Sequence, residues 1–456
     1  MKFYKRMNNN AIQRKVFFRT FGCQMNVYDS DVLKSILMEH GYSIIQSPED
    51  ADVIVVNTCS VRHRAEVRAL GRIKELRKYK LSNPDLVIAV IGCMAQRMGA
   101  DVLKEAPFVD FVLGTEKSFQ LAGYLEGLKE SRVVDTGMGN CMPVGILPCS
   151  DSRTSAFVAI SRGCDNFCSY CVVPYLRGPE KHRPAKIVLD EISKLAQRGY
   201  KEITLLGQNV NSYKDGTFDF ADLLGMINDD TEINWIRFMT SHPKDLSSKL
   251  IDKISSLPKV CEHLHLPLQS GSDFILERMN RQYRAEDYSR LVGQIREKVG
   301  DLCLTTDIMV GFPGESVSFF QKTLDLVEKI GFDSAFTFRY SPRQGTESVS
   351  LVDDVPEKEK IRRLEILIQL QKKISQNRNQ ELVGRKLEIL VDGPSRKEDS
   401  KLKAKTRGNK TVILDGKEEH IGKFQQVEVI SASPFTLFGN LPKDMSARDP
   451  VRKFGK

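Results

Sequence analysis

The sequence has 456 residues, of which 41% are hydrophobic and 28% charged, and 68 Lys and Arg against 59 Asp and Glu give a formal net charge of +9. The length suggests about three domains, and the composition excludes a disordered chain. The longest apolar run, Leu86 to Ala95, is about half of the roughly 20 residues that a membrane-spanning helix needs, and Met1 to Arg14 is basic and polar, unlike a secretion signal. We therefore expect a cytoplasmic protein away from the membrane, whose ten cysteines are metal ligands, catalytic groups or buried thiols instead of disulfides.

Positive charge is concentrated in two stretches of the chain. From Val383 to Lys456 there are 16 Lys and Arg against 10 Asp and Glu, about +6 of the total, and a second basic stretch runs from Arg62 to Lys80. Clustered positive charge attracts phosphate backbones. A solvated helix face and a basic tail would give the same pattern, so both interpretations stay open.

The first region, residues 14–135, alternates short apolar runs with amphipathic helical patterns. Its strands are predicted at Lys15–Thr20, Asp52–Thr58 and Leu86–Gly92, and its helices at Asp29–His40 and Arg64–Tyr79. This order predicts an α/β domain of βαβ type with a parallel sheet. The stretch from Gly137 to Ser155, rich in Gly, Pro and Ser, is predicted to be a linker.

The second region, residues 150–380, repeats the alternation at a longer period and ends in a charged helix, Pro356–Gln380. Its strands are predicted at Ala156–Ser161, Glu202–Gln208, Trp235–Thr240, His263–Pro267, Cys303–Val310 and Ala335–Tyr340. Its helices are predicted at Ala185–Arg198, Leu246–Ser256, Arg284–Lys298 and Val317–Ile330. Six βα units in about 185 residues indicate a partial (βα)6 barrel, since a complete eightfold barrel typically needs about 250.

The third region, residues 383–446, has short strands, with turns predicted at Asp392-Gly393 and Asp415-Gly416 and a last strand at Val427–Ile430. This pattern predicts a small β-barrel of the oligonucleotide-binding kind. The residues that we expect to contact nucleic acid are Arg396, Lys397, Lys401, Lys403, Lys405 and Arg407, with Phe435 and Phe438 as stacking faces.

Three cysteines lie close together after the first strand of the second region. Cys164, Cys168 and Cys171 have the spacing C-x3-C-x2-C, with the aromatic Tyr170 just before the last thiol. Zinc is the alternative, but it usually takes four ligands, and the nearest fourth candidate is His182. Three thiolates on one loop suit a [4Fe–4S] cluster and leave one iron open for a substrate or cofactor.

This region resembles the radical S-adenosylmethionine superfamily, whose mark is the same triplet. The resemblance implies that the open iron binds S-adenosylmethionine and that an electron cleaves it to a 5′-deoxyadenosyl radical. The position of the cysteine loop supports this independently. The loop follows the first strand of the region, and the active sites of parallel barrels lie at the C-terminal ends of the strands.

A second cysteine triplet follows the strands of the first region. Cys23, Cys59 and Cys93 each come just after a predicted strand, and 36 and 34 residues separate them. The carboxyl ends of parallel strands meet at one edge of a sheet, where ligands bind. Three buried thiols are the alternative, but their common position favours a second metal cluster. The remaining thiols, Cys141, Cys149, Cys261 and Cys303, show no such pattern.

The whole chain from about Lys15 to Asn440 resembles the methylthiotransferases of the radical S-adenosylmethionine superfamily. The segments that carry the resemblance to the tRNA-modifying branch are Phe21–Asn26, Leu205–Tyr213, Thr240–Ser247, His265–Asp273, Thr305–Glu315 and Asp333–Thr346. Gln208–Tyr213 discriminates best between the branches, whereas the loop Arg177–Arg183 is less rich in arginine than is usual in that branch. The resemblance implies an amino-terminal domain with an auxiliary [4Fe–4S] cluster, a radical core and a carboxy-terminal TRAM barrel.

The resemblance also implies the reaction and its partners. We expect methylthiolation at C2 of N6-isopentenyladenosine at position 37 of tRNA, using two S-adenosylmethionine, with Cys23, Cys59 and Cys93 on the auxiliary cluster. The partners would be the tRNA anticodon stem-loop and an electron donor such as flavodoxin or ferredoxin, and the protein would be a monomer. The alternatives are threonylcarbamoyladenosine in tRNA, a ribosomal-protein aspartate, or a zinc-bearing RNA-binding protein without catalysis.

Polar side chains at other strand ends are candidates for holding the second cofactor. Gln208 and Asn209 end the second barrel strand, Gln269 follows the fourth, and Asp307 lies on the fifth. Asn and Gln also cap loops, and Asp307 could pair with a neighbouring Arg, so a structural role is the alternative for each.

Overall fold

The structure is a computed structural model that describes residues 13–60, 63–127, 132–139, 143, 145–395, 398 and 400–442. The predictions for Arg62, Cys141, Arg396 and Lys397 concern residues outside these ranges. Within them, no helix combines the length and the hydropathy that a membrane crossing requires.

The first domain is a six-stranded parallel sheet with helices on its two faces. Its strands are β1 (Lys15–Thr20), β2 (Ser43–Ile45), β3 (Val53–Thr58), β4 (Val87–Gly92), β5 (Phe111–Leu113) and β6 (Val133–Asp135), in the order β2-β1-β3-β4-β5-β6. Its helices are α1 (Gln24–Glu39), α2 (His63–Glu75), α3 (Arg77–Ser82), α4 (Cys93–Met98), α5 (Asp101–Glu105) and α6 (Leu121–Glu126). β3 and β4 are buried along their whole length, which is why both read as continuous apolar runs. The single helix predicted over Arg64–Tyr79 is interrupted at Leu76.

The second domain is the partial barrel that the sequence predicts. Its strands are β7 (Ser155–Ala159), β8 (Ser161–Arg162), β9 (Lys181–His182), β10 (Glu202–Leu206), β11 (Lys214–Asp215), β12 (Phe218–Asp219), β13 (Trp235–Phe238), β14 (His263–His265), β15 (Cys303–Val310) and β16 (Ser334–Arg339). Its helices are α7 (Val173–Arg177), α8 (Ala185–Gln197), α9 (Phe220–Asp230), α10 (Ser248–Ser256), α11 (Asp273–Arg278), α12 (Ala285–Lys298), α13 (Val317–Ile330) and α14 (Glu357–Gln380). The parallel sheets β7-β10-β13 and β14-β15-β16 are joined by a bridge between Ile236 and Val260, and α14 packs on β16.

The third domain is a closed five-stranded barrel. Its strands are β17 (Lys386–Pro394), β18 (Lys401–Thr406), β19 (Thr411–Asp415), β20 (Phe424–Ala432) and β21 (Leu437–Asn440), in the order β17-β18-β19-β21-β20. The turn predicted at Asp392-Gly393 is wrong: both residues lie inside β17, where the register shifts between Val391 and Gly393. Asp and Gly also suit a β-bulge, which bends a strand without ending it, so the same dipeptide fits both structures.

Both outer domains pack against the central barrel. Helix α1 lies on β7, and the core of the first domain includes Ala159 and Leu206 from the ends of two barrel strands. On the other side, Trp235 of the second domain packs with Leu390 and Phe424 of the third. The first domain therefore covers the end of the barrel from which the predicted cysteine loop leaves.

Candidate active site between two cysteine triplets

Cys164, Cys168 and Cys171 lie on one compact loop that follows β8. The loop is closed by backbone hydrogen bonds from Cys164 N to Gly178 O (3.2 Å) and from Cys171 N to Cys168 O (2.9 Å). Cys164 is buried and the other two are half-buried. Burial, together with the neighbouring thiols, raises the pKa of Cys164 to about 11 and that of Cys171 to about 12. Such thiols become thiolates when a cationic metal group compensates their charge.

Cys23, Cys59 and Cys93 come together at the carboxyl edge of the first sheet. Cys23 is the N-cap of α1, Cys59 follows β3 directly, and Cys93 begins α4 directly after β4. A hydrogen bond with Cys59 lowers the pKa of the Cys23 thiol to about 6, whereas burial raises the pKa of Cys93. Cys59 and Cys93 are buried and Cys23 is exposed.

Three glycines that the sequence analysis did not select stand directly before a cysteine of these triplets. Gly22, Gly92 and Gly163 have φ angles of 128°, 91° and 80°. A Cβ atom on Gly22 would lie 2.5 Å from Cys59 Cβ, and one on Gly92 would lie 2.4 Å from Asn57 Oδ1. Only glycine combines this backbone with this close approach. The repeated dipeptide Gly-Cys at positions 22, 92 and 163 is the sequence signal that would have found them.

The two triplets meet across helix α7, which begins two residues after Cys171. The side chains of Val172 and Leu176 pack directly on Cys93 of the first domain. At the end of the same helix, the buried Arg177 donates from Nη2 to Asn26 Oδ1 (3.2 Å) and Asp29 Oδ2 (3.2 Å). Arg177 therefore belongs to the loop of one triplet and contacts residues beside the other.

The donor chemistry of both sites fits iron–sulfur clusters. Each site offers three cysteine thiols, the groups that hold such clusters, and within a site the thiols lie close enough for one to shift the pKa of another. Among the described residues, no three His, Cys, Asp or Glu side chains are grouped around a position for one metal ion. Cluster ligands bind different iron atoms, so their thiols are spaced more widely than the ligands of a single ion.

The four candidate cofactor-binding residues lie at the carboxyl end of the barrel. Gln208 Oε1 accepts a 2.6 Å hydrogen bond from the backbone of Gly163, beside Cys164. Asn209 Nδ2 donates to Asp245 Oδ2 (2.7 Å), while its buried Oδ1 has no hydrogen-bond partner in the described chain. An unpaired buried acceptor is costly unless a ligand satisfies it.

Gln269, in the segment that follows β14, lies beside Asp307 on β15. Gln269 has a left-handed φ of 66°, and its backbone N donates to Asp307 O (2.8 Å). The carboxylate of Asp307 lies 3.5 Å from His265 Nε2 and is 27% exposed. Its neighbour is thus a histidine, in place of the arginine considered as the alternative.

A cavity of about 230 Å³ reaches residues of all three domains. It is lined by Met239, Thr305 and Phe336 of the barrel, and Gln24, next to Cys23, belongs to its wall. The third domain contributes Phe435, which is 71% exposed. The wall combines these apolar and aromatic side chains with polar groups, among them the ion pair of Lys410 and Asp333.

Two cations expected to face nucleic acid instead attach the third domain to the barrel. Arg407 forms a bidentate pair with Glu262 (2.7 and 2.8 Å), and Lys405 lies 3.4 Å from Glu202. Lys401 is paired with Glu398 (2.9 Å), and Lys403 lies 3.8 Å from Asp392. Phe438 is half-buried, so of the two predicted stacking faces Phe435 is the accessible one.

Three family models match the chain in succession. They are described as Uncharacterized protein family UPF0004, Radical SAM superfamily and TRAM domain, and they match residues 15–114, 158–327 and 380–441. The chain is 46% identical over 430 residues to a tRNA-2-methylthio-N(6)-dimethylallyladenosine synthase of Thermoanaerobacter pseudethanolicus, covering 92% of this chain and 91% of that relative. It is 42% identical to a protein of the same name from Clostridium novyi, covering 95% and 97%.

A solved structure supports the fold. The radical S-adenosylmethionine methyltransferase TsrM from Kitasatospora setae, solved with cobalamin and a [4Fe-4S] cluster, superposes with a TM-score of 0.55 at 16% identity. The match covers 74% of this chain and 77% of TsrM. At this identity the likeness concerns the fold alone.

Proposed function

Because this chain belongs to the family of the tRNA-2-methylthio-N(6)-dimethylallyladenosine synthases, we propose that it inserts a methylthio group at C2 of N6-isopentenyladenosine 37 in tRNA. It is a radical S-adenosylmethionine enzyme that uses [4Fe–4S] clusters and S-adenosylmethionine. The observation that carries the proposal is the meeting of two thiol triplets, where Cys93 packs on Val172 and Leu176. A reaction that joins radical generation to sulfur insertion needs both sites to face one substrate.

Each triplet holds one cluster in this proposal. Cys164, Cys168 and Cys171 hold the radical-generating cluster, and Cys23, Cys59 and Cys93 hold the auxiliary one. When bound, the first cluster and S-adenosylmethionine supply the radical that attacks an aromatic C–H beyond the reach of acid–base catalysis, and the second supplies the sulfur. The chain itself fixes the geometry: Gln208 anchors the turn at Gly163, and Arg177 ties the loop of one triplet to the domain of the other.

The remaining candidates hold S-adenosylmethionine and the base. Asn209 offers its unpaired Oδ1 at the barrel end, and Gln269 after β14 and Asp307 on β15 present further polar groups. Phe336 and Phe435 line the cavity that reaches toward Cys23 through Gln24. Aromatic faces bind an unstacked loop base well, because every base has a π-face.

The partners follow from the same proposal. The macromolecular substrate is the anticodon stem-loop of tRNA, where position 37 lies in a loop and needs only modest unstacking. A flavodoxin or ferredoxin provides the electron, and the chain works as a monomer in the cytoplasm.

The test compares two triple variants with a control. Anaerobically purified protein should contain about eight irons per chain, and about four after either C23S/C59S/C93S or C164S/C168S/C171S. The first variant should still cleave S-adenosylmethionine under reducing conditions, and the second should not. The control C149S removes a half-buried thiol outside both triplets and should keep all the iron.

Nucleoside analysis of tRNA from a deletion strain decides the substrate. 2-Methylthio-N6-isopentenyladenosine should vanish and return with the wild-type gene but with neither triple variant. Persistence of that nucleoside would refute the proposal, as would a colourless protein with stoichiometric zinc. A loss confined to methylthiolated threonylcarbamoyladenosine would assign the chain to that substrate instead.

A further inference from the structure

The segment from Arg278 to Tyr283 wraps around the outside of the cysteine loop. Backbone N and Oγ of Ser169 donate to Met279 O (3.1 Å) and Arg278 O (2.7 Å). From the same segment, Asn280 Nδ2 donates to Phe167 O (3.0 Å). The loop that carries Cys168 is therefore held from outside by the chain that follows α11.

Arg281 lies at the centre of this segment between two strained residues. Asn280 and Gln282 have φ angles of 55° and 58°, in the left-handed region that non-glycine residues rarely adopt. Strain of this kind persists where surrounding contacts require it, and it is common at functional sites. Here the two left-handed residues turn the intervening side chain inward, and Arg281 is only 4% exposed.

The guanidinium of Arg281 contacts the cysteine loop directly. Nη1 donates to Cys168 Sγ (3.3 Å), Nη2 donates to Pro267 O (3.2 Å), and Nε donates to Tyr283 OH (3.1 Å). The guanidinium also lies over the ring of Tyr283, 5.3 Å from its centroid. All three guanidinium nitrogens of Arg281 therefore donate a hydrogen bond. Among the three acceptors, Cys168 Sγ is the one that carries negative charge as a cluster ligand.

Other buried arginines of the barrel pair with a carboxylate, whereas Arg281 has no carboxylate partner among the described residues. Arg183 is paired with Glu191, Arg237 with Glu202 (2.6 Å) and Arg363 with Glu315 (2.8 Å). Within the part of the chain that the structure describes, no Asp or Glu lies within ion-pair distance of Arg281. A buried cation needs compensating negative charge. A thiolate-bound cluster at Cys168 supplies it.

We propose that Arg281 is a positioning residue of the radical-generating cluster: it donates a charge-assisted hydrogen bond to the thiolate of Cys168 and raises the reduction potential of the cluster. This inference rests on the proposed function, which places a cluster on that triplet. One electron from the reductant adds one negative charge to the cluster. A buried cation stabilises the more negative, reduced form most, because the surroundings screen little.

The experiment measures the midpoint potential by EPR-monitored redox titration with dithionite under anaerobic conditions. Full-length protein with C23S/C59S/C93S serves as the parent, so that the signal comes from one cluster. In R281Q the ratio of reduced to oxidised cluster at a fixed potential should fall about tenfold, which is 59 mV for one electron. R281K, which keeps the charge, should recover part of the shift.

The control R237Q removes a buried arginine that bonds Glu202 and makes no hydrogen bond to Cys164, Cys168 or Cys171, and it should leave the potential unchanged. An unchanged potential in R281Q with iron retained would overturn the role of Arg281. If R281Q loses its iron, R281K decides: iron retention there supports the inference, and loss in both refutes it. Absence of iron from the parent would refute the proposed function itself.

Discussion

Asp29 is a buried carboxylate of the first domain that two arginines of the barrel share. Arg177 Nη2 lies 3.2 Å from one of its oxygens, and Arg162 contacts the other. All three side chains are less than 8% exposed, so water screens this cluster little. Neutralising the shared carboxylate would leave two buried cations at the surface where the domains meet.

We expect D29N to weaken the docking of the first domain by about 3–5 kcal/mol, the usual cost of removing one partner of a buried ion pair. The melting temperature should fall, and hydrogen exchange should rise in α1 and α7 together. The matched control is D151N, whose carboxylate bonds Lys34 but is 81% exposed, and it should change little. Equal melting temperatures for D29N and D151N would contradict this account.

The strand ends that present the cysteines were predictable, whereas the helix that joins the two sites was not. β3 and β4 are buried throughout, and β1 carries the shorter apolar run Val16–Phe18, so the positions of Cys23, Cys59 and Cys93 followed from the pattern. Helix α7 has five residues and contains Pro174, so it is too short to show the periodic hydrophobic pattern from which a helix is predicted. Strands β2, β5 and β6 have three residues each, too few for an alternation to show.

The backbone geometry of the turns before the cysteines could not be predicted from the hydrophobic pattern either. A run such as VIAVIGC places Cys93 after a strand, but the requirement for glycine at position 92 comes from Asn57 and Thr58 on the neighbouring strand. Such contacts join residues far apart in sequence, and local periodicity does not contain them. The same holds for Arg281, whose role depends on a loop more than a hundred residues before it.

We expect G92A to lose the auxiliary cluster selectively. The new Cβ would lie 2.6 Å from Thr58 O on a backbone with φ of 91°, so the turn must shift and move Cys93. Iron should fall from about eight to about four per chain, with cleavage of S-adenosylmethionine retained.

The control for this turn is G293A in α12, where a Cβ meets no atom within 4 Å. It should keep all the iron and stabilise the helix by about 1 kcal/mol. Full iron content in G92A would show that the turn tolerates the side chain.

The positive charge of the third domain is partly offset where that domain joins the barrel, because some of its cations pair with carboxylates of the barrel. Arg407 binds Glu262 and also donates to Val260 O (2.7 Å), and Lys410 binds Asp333 (2.7 Å). The sequence showed that this domain is basic, but only the packed structure shows which cations face inward. The excess positive charge that the third domain presents to solvent is therefore smaller than its own composition implies.

We expect R407A to loosen the third domain from the barrel. The single tryptophan, Trp235, lies at this joint with its ring centroid 5.0 Å from that of Phe424, so its emission reports docking. In R407A the emission should shift to longer wavelength at lower urea than in the wild type. The control K417A removes an exposed lysine of the same domain, and an equal shift there would contradict the role of the joint.

The packing of Cys93 against Val172 and Leu176 at α7 has a consequence for how the protein would mature. Cys93 is covered by the docked barrel, Cys59 is buried as well, and Cys23 is the exposed thiol of this triplet. If this triplet holds the auxiliary cluster as proposed, iron and sulfide have to reach Cys93 before the first domain closes on the barrel. Once the domains have closed, replacing a damaged cluster requires the interface to reopen, so we expect repair to be slower than first loading.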